Sequence, residues 1–196
     1  MKNMNIERPK SNQPLPAHAT CVFKGAIFDV YQWEQEMYDG SKAIFEKLKR
    51  PDTVVVFPIL PDGRILLTEQ EQPGKAPFIG ATGGRVDEGE DIEAAARREL
   101  LEESGYEADE LILWDAQQPL SKIEWAVYTF VARGLRKVAD LDLDPGEKIK
   151  LKPTTLDELI ELAQKGYFVE KEVVIKLLEA KLYPKKKVSL EKLFSA

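Results

Sequence analysis

The sequence predicts a layered α/β domain. Strand-like stretches fall into two groups, one on either side of Asp39-Gly40 and one from Val54 to Thr68. A helical pattern follows over 91–104, and amphipathic helical patterns close the chain after Thr155, so helices flank the apolar strands in the layered way that buries both. The chain has 196 residues, 43% hydrophobic and 32% charged, enough for one core and too apolar for disorder.

In chain order, residues 1–18 carry Pro9, Pro14 and Pro16 among polar residues and predict a loosely ordered, disordered leader, with order starting near Ala19. Cys21 to Gln35 and Ala43 to Lys49 predict strands joined by a tight turn, because Asp-Gly accepts positive φ. Val54 to Leu60 is β-branched and continuously apolar. The turn residues Leu60-Pro61-Asp62-Gly63 and the returning stretch Arg64 to Thr68 then predict a second hairpin. Residues 71–84, rich in Gly and Pro, predict a functional loop that feeds the next helix. That helix spans Asp91 to Ser104: acids crowd its first turn, Ala94 to Ala96 favour it, and Gly105 can close it in the left-handed conformation. Trp125 to Ala132 predicts a strand and Asp140 to Glu147 an acidic loop. Thr155 and Glu158 have capping-box spacing for a helix ending near Gly166, Val169 to Leu182 predicts another helix, and residues 184–196 a solvated basic tail.

Composition excludes several functions. The longest apolar runs are far short of the roughly 20 residues a membrane span needs. The opening residues lack the apolar stretch of a secretory signal, and the lone cysteine, Cys21, cannot form an intrachain disulfide, so a reducing cytoplasm is expected. A formal charge of −6 opposes binding to nucleic-acid phosphates, and a single histidine, His18, argues against a His/Cys zinc site.

The chemistry concentrates around the acidic helix. Glu99, Glu102 and Glu103 stand at i, i+3 and i+4, so their carboxylates share one side of a helix, with Arg98 four residues before Glu102. Such charges repel, and a solvated face with a surface ion pair is the plain reading of the run alone. Upstream, however, Gly83-Gly84-Arg85-Val86-Asp87-Glu88-Gly89-Glu90 places three glycines and three acids in a loop entering that helix. Glycines let backbone approach a ligand, and clustered carboxylates form the oxygen shell that Mg²⁺ or Mn²⁺ prefers. Together they describe a metal-dependent site for a phosphate substrate.

The spacing Gly84, five residues, Glu90, seven residues, Arg98-Glu99-Leu100, one residue, Glu102-Glu103, one residue, Gly105 resembles the Nudix box, with all seven fixed letters matched. Only Tyr106 departs, where the pattern usually has an aliphatic residue. The resemblance implies an α/β/α sandwich and hydrolysis of a nucleoside diphosphate linked to another moiety. It makes Glu99 and Glu103 metal ligands together with the Gly83 carbonyl. Glu102 ligates through water or orients Arg98, and Glu90 and Arg98 hold the loop on the helix.

Over roughly residues 20–182 the chain is further similar to ADP-ribose and nucleoside-diphosphate-sugar pyrophosphatases. The points of likeness are Val22-Phe23-Lys24-Gly25, the Asp39-Gly40 hairpin, Glu69-Gln70, Glu147-Lys148-Ile149, Thr155 and the Gly166 turn. That likeness implies an amino-terminal β arm, residues 19–50, crossing to the partner of a homodimer, ahead of a hydrolase domain over 51–183. It offers Glu147 as catalytic base, with Asp142 and Asp144 as alternatives, and Glu124, after Pro119, in a loop that reaches substrate. Phe28, Tyr31 or Trp33 could stack on a base. Departures also occur: Gly80 stands where that subfamily usually has Glu, and Gln72 where Arg is common. The leading expectation is a nucleotide-sugar pyrophosphatase, ADP-ribose favoured, using Mg²⁺ or Mn²⁺. A Nudix nucleoside triphosphate pyrophosphatase and a non-catalytic nucleotide-binding module are the alternatives.

Overall fold

The computed structural model describes residues 6–195. A four-stranded sheet lies at its centre, ordered β7 (Thr82–Arg85), β4 (Thr53–Pro58), β10 (Val127–Lys137) and β8 (Tyr106–Gln117). β4 runs parallel to β10 and antiparallel to β7. The side-chain period of two then divides the core. Val54 and Val56 of β4, with Tyr128, Phe130 and Ala132 of β10, face Ala95, Ala96 and Leu100 of α1 (Ile92–Ser104). Val55 and Phe57 of β4, with Val127 and Val131 of β10, face the helices α2 (Leu156–Lys165) and α3 (Lys171–Leu182). A strand buried on both faces is apolar throughout, which explains the unbroken run at Val54. The result is the expected α/β/α sandwich.

Two smaller sheets flank it. β5 (Ile65–Gln72) lies between β11 (Lys148–Thr154) and β6 (Lys75–Gly80). The amino-terminal sheet has the order β1 (Thr20–Lys24), β2 (Asp29–Glu36), β3 (Lys42–Lys49) and β9 (Ile123–Glu124), and the β2–β3 turn falls at Asp39-Gly40 as expected.

Several expectations are corrected. Cys21 to Gln35 is two paired strands, since the chain turns back at Gly25, whose N–H donates to the Phe28 carbonyl. The Leu60–Gly63 turn forms, but β4 and β5 meet only at an Ile59–Ile65 bridge and then diverge into different sheets. Residues 71–84 are mostly strand: β5 continues to Gln72, turns at Pro73-Gly74 and returns as β6 and β7. Their Gly and Pro mark a tight turn and close packing rather than a loop. The long strand β8 and strand β11 carry polar residues and were not anticipated.

The ends also differ from expectation. The expected solvated tail over 184–196 is, through residue 195, ordered structure: α4 (Pro184–Leu193) starts with proline in its first turn and buries Leu190. The adjoining Phe194 packs edge-on against Phe57 and Trp114. The first five residues of the leader lie outside the described ones. Over 6–18 it has no helix or strand, yet it is pinned: Ile6 packs on the α1-side core, and Arg8 binds Asp52 and Glu124. Its prolines suit an extended strap as well as a loose end.

Candidate active site

The site is built where β7 meets α1. Asp91 caps the helix by accepting from the N–H groups of Glu93 and Ala94, and Gly105 closes it at φ 70°. The inward face of α1 carries apolar residues plus Glu99 and Glu103, both buried, which a helix packed on a sheet accommodates only for a reason.

Backbone without side chains makes room for them. The Gly83 N–H donates to Oε2 of Glu103 at 2.8 Å. Gly83 has φ 150°, and a Cβ there would strike the Val54 carbonyl and lie 3.0 Å from the Val55 Cα. At Gly84 a Cβ would sit 2.6 Å from the Glu99 carboxyl carbon, so only glycine lets that carboxylate lie against the strand.

Arg98 ties the entering loop to the helix. Its Nε and Nη2 bind the two oxygens of Glu90, each at 2.9 Å, and Nη2 also donates to the Arg85 carbonyl at 3.0 Å. Its Nη1 donates to Glu99 at 2.8 Å and to Glu102 at 3.0 Å. The Arg98 pair holds Glu90 below the usual carboxylate range despite its partial burial.

The acids opposite have less compensation. Burial pushes Glu103 up to about 8, against the Gly83 hydrogen bond, with Glu99, Glu147 and Glu170 adding repulsion. Burial likewise raises Glu99, in spite of Arg98. Glu147 is raised by burial first and by Asp144 second. It stands across a cleft of about 520 Å³ that is also lined by Asp142, Asp144, Glu99, Glu102 and Glu103. The acidic loop is anchored there by the Asp142 N–H, which donates to the carbonyl of Glu102 at 2.9 Å.

This donor set fits a divalent cation. It is all oxygen, converges on one cleft, and leaves Glu103 without a Lys or Arg partner among the described residues. Among those residues no three acids close into a finished cage, and Arg98 Nη1 donates to both Glu99 and Glu102.

Gly83, Gly84, Arg98, Glu99, Glu102, Glu103 and Glu147 thus line one cleft, Glu90 stands behind Arg98, and Gly105 ends the helix. Gln72 lines a neighbouring hollow that also touches Glu147. The other expected substrate contacts lie elsewhere. Trp33 is only 5% exposed and packs edge-on against Phe45 inside the arm, so it offers no face to a base. Glu124 spends both oxygens locally: Lys47, whose side chain is wholly buried, binds one at 2.7 Å, and Arg8 binds the other at 2.6 Å. These charges join arm, leader and domain, and solvating an acid there would leave Lys47 buried without a counter-charge. Phe28 stays partly exposed and forms one wall of a stack in which the Arg50 guanidinium lies 5.7 Å from its ring and 4.9 Å from that of Trp125. The Arg50 stack and Glu170 were missed, because nothing in their local sequence links them to residues so far along the chain.

Comparison with known proteins bears on the family and the fold. The family model for the NUDIX domain matches residues 49–177. The ADP-ribose pyrophosphatase of Bacillus subtilis (strain 168) is 27% identical over 146 residues, covering 73% of this chain and 79% of that protein. The methanol dehydrogenase activator of Bacillus methanolicus is 28% identical over 158 residues, 79% and 85% of the two chains. A crystal structure of an ADP compounds hydrolase shares the fold with a TM-score of 0.68 at 23% identity, covering 91% of this chain and 97% of that one.

Proposed function

Because the chain belongs to the NUDIX family, we propose that it hydrolyses the pyrophosphate bond of a nucleoside diphosphate sugar, ADP-ribose favoured, to a nucleoside monophosphate and a sugar phosphate. The observation that carries this reading is the buried carboxylate pair Glu99 and Glu103, the first shared with Arg98 and the second without a Lys or Arg partner among the described residues, set against glycine backbone and facing an acidic loop across one cleft. A binding module gains nothing from that repulsion. A hydrolase does, since the pair concentrates divalent ions, here Mg²⁺ or Mn²⁺.

Glu99, Glu103 and the Gly83 carbonyl would hold the ion, with Glu102 acting through water. The ion supplies charge neutralisation at the pyrophosphate oxygens and a more acidic water. The protein's own residues do the rest. The Gly83 N–H and the Arg98–Glu90 pair fix the carboxylates before substrate arrives, which removes reorganisation from the reaction step. Glu147 takes the proton of the attacking water as its oxygen bonds to phosphorus and the P–O bond to the leaving phosphate breaks; its raised affinity for a proton suits that task. Asp144 is the alternative.

Support for a sugar nucleotide over a triphosphate comes from the arm and from likeness to an ADP-ribose pyrophosphatase over most of both chains. Arm residues Val22, Phe23, Ile27 and Ile44 are all more than half exposed, which suits a homodimer in which each arm covers its partner. Phe28 and Tyr31, both partly exposed, are the remaining candidates for stacking on a base. No helix among the described residues is long and apolar enough to cross a membrane. The cytoplasm is our proposal on a separate ground, the lone cysteine that suits a reducing compartment. The test is a panel of nucleoside diphosphate sugars and nucleoside triphosphates with Mg²⁺. Preference for the sugars by kcat/KM is expected; preference for triphosphates would favour the housecleaning alternative.

A further inference from the structure

Glu170 lies immediately before α3, at the position that would normally cap the helix, yet its side chain makes no capping bond. It turns instead toward the strand that enters the site. Residues 168–170 lie along the end of β6 through the Ile79–Phe168 bridge and the Val169 N–H, which donates to the Ile79 carbonyl at 3.1 Å. From there Oε1 of Glu170 accepts from the Ala81 N–H at 3.1 Å. Its other oxygen, Oε2, is shut away from solvent with no hydrogen-bond partner among the described residues. The slot exists because residue 80 is glycine: a Cβ there would lie 2.6 Å from Oε1 and 3.1 Å from the Val169 side chain.

Ala81 and Gly83 are two residues apart in extended backbone, so their N–H groups point to the same side. β7 pairs only with β4, which leaves its other edge without a strand. On that edge Glu170 takes the first N–H and Glu103 of α1 the second. A buried carboxylate oxygen without a partner costs stability that a neutral, well-packed side chain would recover. Its presence here coincides with the segment that presents Gly83 to the cleft.

We propose that Glu170 is a positioning residue of the hydrolytic site, holding Ala81 so that Gly83 and Glu103 keep the spacing that the metal and the substrate need. This rests on the hydrolase reading above. Glu170→Gln loses the charge but keeps an oxygen for Ala81, whereas Glu170→Leu loses both, so the difference between them isolates the hydrogen bond. The Leu variant should lose about tenfold or more in kcat with KM within about twofold, and the Gln variant should recover most of it. Leu190→Ala, in the α4 core, controls for lost stability and should leave kcat unchanged well below its melting temperature.

Mn²⁺ binding, followed by titration calorimetry without substrate, is read in parallel. The Leu variant should bind about fivefold or more weakly and the Gln variant near wild type. Gly80→Ala, which drives a Cβ into the same slot from the other side, should behave like the Leu variant if the latter does not fold. Wild-type turnover and wild-type Mn²⁺ affinity in both Glu170→Leu and Gly80→Ala would overturn the proposal. A wild-type protein inert on every sugar nucleotide would instead sink the hydrolase reading, leaving the Mn²⁺ series to decide on Glu170.

Discussion

Glu103 is buried at 4% exposure beside Glu99, with one backbone N–H as its hydrogen-bond donor, so its charge state is decided by whatever cation enters the cleft. Glu103→Gln keeps the shape and the Gly83 hydrogen bond but removes the charge. It should lower kcat by about a hundredfold or more while leaving the fold intact, checked by steady-state kinetics and circular dichroism. The same group has a pH signature. Its folded value, about 8 without metal, lies above its unfolded one, so the folded state binds the extra proton in between and loses stability as pH rises. In chelator the melting temperature should therefore fall more steeply from pH 5 to 8 for wild type than for Glu103→Gln; equal slopes would contradict the assigned burial. Glu147→Gln should slow turnover while changing metal affinity little. If Asp144 is the base, the Glu147 variant will be near normal and Asp144→Asn slow.

At the scale of elements, β7 and α1 form one unit that works only while the strand stays bare. Gly84→Ala puts a methyl group against the Glu99 carboxyl carbon, so it should cost at least about tenfold in kcat and weaken Mg²⁺ activation, with a small change in melting temperature. Wild-type activation by Mg²⁺ would show that Glu99 need not lie against the strand. This unit was the most legible part of the sequence. The helix itself, its close at Gly105 and the acids on one face are short-range patterns, and the structure keeps each of them, with Asp91 as the cap rather than the first helical residue. What the sequence hid is long-range. β8 was invisible because its partly exposed residues do not alternate cleanly, and β4 and β5 look like a hairpin until their partners from residues 75–85 and 127–137 draw them into separate sheets. Likewise Glu124 is one more loop acid until Lys47 and Arg8 are seen to claim it.

For the whole molecule, the sandwich core and the arm make separate demands. The core is closed by α4, so truncation before residue 184 should destabilise the domain by uncovering Phe57 and Trp114, although the basic composition of that segment suggests nothing of the kind. The arm, in contrast, leaves Phe23 at 60% and Ile44 at 65% exposure, which a second copy would cover. Sedimentation at micromolar concentration should give a dimer; a monomer would remove the arm as support for sugar nucleotides over triphosphates. The central claim joins site to chemistry, and one measurement tests it most directly: turnover of ADP-ribose against free Mg²⁺, with both products identified. The account predicts no turnover in chelator and, on adding Mg²⁺, AMP and ribose 5-phosphate in equal amounts. Undiminished turnover in chelator, or none at saturating Mg²⁺, would contradict it.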